Sequence, residues 1–105
     1  MLATNTQSVC TVVCSQHGDE RFGITVFERL LQDAQRRLRV NLVLANEEAI
    51  ERNVRYIETD LNRSYPGNRS GSLEERMAYQ LLPVVQQTPY VIDIHTTTAA
   101  IRMTP

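Results

Sequence analysis

The chain has no lysine: all eleven of its basic residues are arginine. That absence excludes Schiff-base and pyridoxal chemistry and a phosphate-binding P-loop, each of which needs a lysine amine. No stretch reaches the roughly 18 consecutive apolar residues of a membrane-spanning helix, and the N-terminal MLATNTQSV lacks the basic region and apolar core of a signal peptide. No G-x-S-x-G elbow occurs, so Asp93 and His95 have no serine with which to form a hydrolase triad. Charge of one sign is also missing. The formal net charge is −1, with no basic cluster to attract nucleic acid or an anionic membrane surface. Cysteine is limited to Cys10 and Cys14 in the strand-like run SVCTVVC. At about 3.3 Å per residue the two stand roughly 13 Å apart, beyond the separation of about 7 Å that a disulfide permits. They read as reduced, strand-face cysteines in a reducing compartment, which predicts a cytoplasmic protein.

The 105 residues are 42% hydrophobic and 22% charged, the composition of one folded unit with one core. Val9–Cys14 reads as a strand covered on both faces, and His17 follows it directly. From Ile24 to Leu38 the residues Phe27, Leu30, Leu31, Ala34 and Leu38 fall at helical spacing. Val40–Ala45 is a second strand, NEEAIERN allows at most two helical turns, and Val54–Ile57 is expected to form a third short strand. The polar stretch ETDLNRSYPGNRSG is too long for a tight turn and reads as a functional loop, shaped at Tyr65, Pro66 and Gly67. Ser72 and Glu75 then form a capping box ahead of the stripe Leu73, Met77 and Leu81; Glu74 and Glu75 read as first-turn acids, and Pro83 is expected to end or kink the helix. Tyr90–Ile94 is a further buried-type strand, ending in His95. Strands alternating with helices predict an α/β layered fold with a largely parallel or mixed sheet and flanking helices.

In such sheets ligands bind beyond the carboxyl ends of the strands. His17 and His95 each follow a strand and should meet at that edge. His17-Gly18-Asp19-Glu20 places an imidazole and a carboxylate three residues apart around a glycine; alone, this is also what an ordinary loop and helix start looks like. With His95 added, the set becomes His₂Glu, an arrangement that holds catalytic zinc with an open position for water. Arg55 and the run Asp60-Leu61-Asn62-Arg63 could capture a carboxylate, or be a solvated basic loop with a surface ion pair. A zinc-bound histidine gives its other ring N–H to a carboxylate; Asp60 and Asp93 are both available, and spacing does not choose between them. Thr96, Thr97 and Thr98 fit either contacts near the metal or a polar loop, and strand parity makes Cys14 a core residue rather than a ligand.

Taken together, HGDE with Gly23 downstream, VRYIETDLNRSYPG and VIDIHTTT resemble, in order, the zinc motif, the substrate segment and the third-ligand strand of the aspartoacylase and succinylglutamate desuccinylase group, relatives of the zinc carboxypeptidases. The resemblance covers positions 9 to 98. It implies that His17, Glu20 and His95 hold one zinc ion, that Arg55 polarises the scissile carbonyl, that Asn62 and Arg63 grip the substrate carboxylate, and that Asp60 orients His17. The implied reaction is hydrolysis of the amide of a small-molecule N-acyl amino acid. The family's proton-transferring Glu has no counterpart here, so the chain is expected to be a single partial domain, the N-terminal part of a larger catalytic domain whose remainder and β-rich second domain lie downstream. Rival readings are a carboxypeptidase-like peptidase with the same metal and Arg positions, and a non-catalytic zinc-binding module that forms a homo-oligomer to cover its sheet edges.

Overall fold

The computed structural model describes residues 1–34 and 39–96. Its elements are β1 (Leu2–Ala3), β2 (Cys10–Cys14), α1 (Phe22–Ala34), β3 (Val40–Leu44), α2 (Glu47–Arg52), a 3₁₀ turn (Leu61–Arg63), α3 (Leu73–Val85) and β4 (Tyr90–Ile94). The four strands form one sheet in the order β1-β3-β2-β4. β2 runs parallel to both β3 and β4, whereas β1 is antiparallel to β3. The expected layered α/β fold is therefore present, with a mixed sheet.

Strand parity sorts the core into two layers. Val12, Cys14 and Leu42 face α1 and pack with Phe27, bordered by Leu30 and Leu31. Val13, Val43 and Ala45 face the other way, against Ala78 of α3 and Leu61 of the 3₁₀ turn. Burying side chains the size of Leu42 or Phe27 contributes about 1.5–3 kcal/mol each. Burial also pushes the Cys14 thiol up to about 11, helped by the Asp93 carboxylate, so this cysteine is an inert core residue. Both cysteines are free.

In-register pairing of Cys14 with Leu44 and with Ile94 brings the ends of β2, β3 and β4 to one edge. The helical stripe predicted from Ile24 begins two residues earlier, at Phe22, and its last member, Leu38, lies outside the described residues. No helix among the described residues is long and apolar enough to cross a membrane.

Two expectations fail, and a third is met otherwise than by an immediate helix end. Val54–Ile57 forms no strand. The outer edge of β3 is occupied by β1, and the backbone around this segment is satisfied elsewhere: Val54 N–H donates to Ala49 O, Arg55 O accepts from Gly18 N–H, and Ile57 N–H donates to Glu74. Pro83 lies within α3, which continues to Val85; because Pro83 and Tyr79 are both exposed, water can satisfy the Tyr79 carbonyl that the proline leaves without an N–H. β4 is not covered on both faces. Among the described residues it is an edge strand, and Tyr90, Val91 and Ile92 are 68%, 47% and 50% exposed.

Candidate metal centre and substrate loop

Beyond β2 the backbone bends at Ser15, which takes a left-handed conformation with φ of 55°. The following HGDE turn lies directly on α2. Gly18 N–H donates to Arg55 O at 3.2 Å, and Arg21 Nη1 bridges Gly18 O and Ile50 O at 3.3 and 2.8 Å. A Cβ on Gly18 would stand 2.2 Å from the Ala49 carbonyl carbon, so only glycine fits this approach.

His17, 4% exposed, points one ring nitrogen at each of two carboxylates. Its Nδ1 contacts Glu20 Oε2 and its Nε2 lies 2.8 Å from Asp60 Oδ1. His95 repeats the arrangement from the end of β4, with Nδ1 3.5 Å from Glu20 Oε1 and Nε2 2.7 Å from Asp93 Oδ2. The two rings are 5.4 Å apart at 59°. Thr96 N–H fixes Glu20 by donating to Oε1 at 2.5 Å, whereas Thr97 and Thr98 lie outside the described residues. One ligand atom from each of His17, Glu20 and His95 falls within 4.8 Å of the others. Both imidazoles thus turn Nδ1 toward Glu20 and Nε2 toward an aspartate of their own. With the proton on Nε2, both Nδ1 lone pairs face the same point, the geometry expected where a carboxylate behind each ring sets the tautomer of a metal-ligating histidine. The choice between Asp60 and Asp93 thereby disappears, since each serves one histidine.

Electrostatics keep the Glu20 and Asp60 carboxylates ionised. Burial pushes the Glu20 carboxyl up, but the Thr96 N–H and the neighbouring His17 and His95 outweigh it and leave it below the usual range. Asp60 behaves alike: burial is overcome by His17, the Asn62 N–H and Arg55. Two nitrogen donors and a charged carboxylate are a donor set suited to zinc.

The segment from Arg55 to Arg63 is built around Asp60. It caps the 3₁₀ turn by accepting from Asn62 N–H at 3.0 Å, and the wholly buried Leu61 pins that turn to the core. Arg55 Nη2 and Arg63 Nε approach Asp60 Oδ2 at 3.7 and 3.8 Å, with their side chains 53% and 83% exposed. Asn62 Oδ1 faces Gln16 Nε2 at 3.3 Å. Arg55, Asn62 and Arg63 therefore surround the same aspartate that supports His17. Farther along, Gly67 has φ of 91°, and a Cβ there would sit 2.2 Å from Tyr79 N, which is why the loop turns at this residue.

Two contributors escape a sequence reading. Glu74 is not merely a first-turn acid. It is fully buried, and its carboxylate accepts from Ile57, Glu58 and Thr59 N–H and from Asn46 Nδ2 at 2.8 to 3.0 Å. Its position four residues before the buried Ala78, on the core side of α3, is the signal that could have found it. Gln16 gives no sequence signal beyond its place beside His17. Glu75, by contrast, completes the predicted capping box with Ser72.

The family described as the succinylglutamate desuccinylase/aspartoacylase catalytic domain matches residues 6–105. A protein of Acaryochloris marina named "Probable aspartoacylase" is 33% identical over 96% of this chain and 39% of its own length. The N-acyl-aromatic-L-amino acid amidohydrolase (carboxylate-forming) of Xenopus tropicalis is 35% identical over 88% of this chain and 34% of its own. Among solved structures, an aspartoacylase family protein from Mesorhizobium loti matches with a TM-score of 0.73 at 26% identity, covering 90% of this chain and 33% of that one. The chain thus spans well under half the length of these relatives. By sequence over nearly its whole length, and by fold, it belongs to the succinylglutamate desuccinylase/aspartoacylase catalytic domain family.

Proposed function

We propose that this chain forms the metal-binding and carboxylate-binding part of a zinc-dependent hydrolase that cleaves the amide of small-molecule N-acyl amino acids. The observation that carries this reading is the joining of two motifs at Asp60, whose carboxylate faces both His17 and the Arg55–Arg63 pair. His17, Glu20 and His95 would hold the ion, with Asp60 and Asp93 fixing the two imidazoles. Zinc bound there would supply Lewis acidity toward a carbonyl oxygen and lower the pKa of a water. Arg55, exposed at the rim, provides a fixed positive charge for the oxygen of the scissile carbonyl as charge develops on it. Asn62 and Arg63 offer an amide donor and a guanidinium to the carboxylate of the amino acid. The two free thiols fit a reducing, cytoplasmic setting.

Glu20, Asp60 and Asp93 each face a histidine, so none of them is a spare base for the attacking water. We infer that the 105 residues are one partial domain and turn over substrate slowly, since a positioned general base contributes on the order of 10²–10⁴-fold. The first test is the zinc content of the purified chain and of folded His95→Ala. About one zinc per chain, lost in the variant, is the expected result; a folded wild type free of zinc after reconstitution sinks the metal reading. The second is hydrolysis of N-acetylaspartate and N-succinylglutamate by the zinc-loaded chain. Robust turnover abolished by Arg55→Ala would show that the chain carries its own base and would refute the partial-domain inference.

A further inference from the structure

Gln16, the residue before His17, is 5% exposed. Its Nε2 donates to Asp93 Oδ2 at 2.7 Å and to Asn62 Oδ1 at 3.3 Å. The Asp93 oxygen is the same one that faces His95 Nε2 at 2.7 Å. One primary amide therefore joins the carboxylate behind a candidate metal ligand to a residue of the substrate loop. The direction of this chain is fixed by chemistry. An ionised carboxylate can only accept, so the side-chain nitrogen of Gln16, not its oxygen, must face Asp93. Asn62, facing that same nitrogen, must then present its oxygen to Gln16, and its NH₂ is the group left for a ligand. A substrate carboxylate needs a donor, and an Asn62 turned the other way would offer it an oxygen. Among the described residues the Gln16 Oε1 atom has no partner, so the nitrogen contacts set the amide's orientation.

We propose that Gln16 is a positioning residue for both halves of the site: it holds Asp93 against His95, which keeps the His95 Nδ1 lone pair toward the metal position, and it sets Asn62 as a donor to an anionic substrate. This inference rests on the functional reading above and deepens it. Gln16→Met keeps the side chain's length but removes both N–H groups, and Gln16→Glu keeps its shape while placing an oxygen against Asp93.

The test compares the two variants with wild type in zinc affinity, by competition with a chromogenic chelator, and in the ring-proton tautomer of His95 in the metal-free protein, by long-range ¹H–¹⁵N NMR. Gln16→Met is expected to weaken zinc binding about 10–100-fold, the usual effect of losing a group behind a ligand, and to shift His95 from the Nε2–H tautomer to a mixture. N-acetylaspartate should also bind the zinc-loaded variant more weakly. A space-filling role would leave all three unchanged in Gln16→Met, and that result overturns the proposal. Should Gln16→Met fail to fold, Gln16→Glu is judged by the same measurements, with the same losses expected. A wild type that binds no zinc would defeat the metal reading in every variant alike, and the His95 tautomer then decides the role of Gln16 by itself.

Discussion

Replacing Glu74 with alanine is expected to lower the unfolding free energy by about 3–5 kcal/mol, because buried donors to a charged acceptor lose their partner and each such loss costs about 1–3 kcal/mol. The donors are the N–H groups of Ile57, Glu58 and Thr59 and the Asn46 amide, which also caps α2 through its oxygen. These losses share one site and do not add fully. A chemical denaturation midpoint measures the effect, and a change below about 1 kcal/mol would show that the segment is held by other contacts. The pH dependence has a definite sign. Burial raises the Glu74 carboxyl, but the Thr59 and Ile57 N–H groups, Asn46 and the Glu58 N–H outweigh it, so the folded value lies below the ordinary 4.5. A carboxyl depressed on folding contributes stability that is complete above the unfolded value and disappears as pH falls through the folded one. The stability gap between wild type and Glu74→Gln should accordingly be widest near neutrality and shrink below about pH 4.5.

Gly18→Ala should be comparably severe and should reach the metal as well. The added carbon would overlap the Ala49 carbonyl and the Ile50 nitrogen at 2.2 to 2.5 Å, and all of these are backbone atoms that cannot rotate away. Either α2 or the HGDE turn must move. Overpacking of this kind costs about 1–3 kcal/mol or more. Displacing the turn would also draw His17 off Asp60 and Glu20 off His95, so zinc affinity is expected to fall by at least about 100-fold, more than for loss of one group behind a ligand. Asp19→Ala, on the exposed residue of the same turn, is the control and should change neither quantity much. Equal behaviour of the two variants would mean that the turn tolerates the shift.

Features written in neighbouring residues were legible without coordinates. The HGDE turn, the Ser72–Glu75 capping box and the YVIDI strand ending in His95 all depend on local spacing, and the structure places them as the spacing implies. The meeting of His17 with His95 followed from two strands ending at one sheet edge. What remained hidden depends on partners distant in sequence. Val54–Ile57 has the composition of a strand, yet its backbone is claimed by residues of α2, the HGDE turn and α3. Glu74 has the composition of a helix start, yet it organises a segment 15 to 17 residues upstream. Asp60 and Asp93 could not be told apart by spacing because each has its own histidine. Gln16 acquires its contacts only when β4 lies beside β2.

The open flank of β4 bears on how the protein behaves at high concentration. Among the described residues the outer edge of β4 has no partner strand, and together with the exposed Tyr90, Val91 and Ile92 it forms a template on which another extended chain can add. Colloidal behaviour, rather than the free energy of unfolding, should therefore limit how concentrated a sample can become, and Ile92→Lys, on the α1 side of this strand, would act as a gatekeeper three residues before His95.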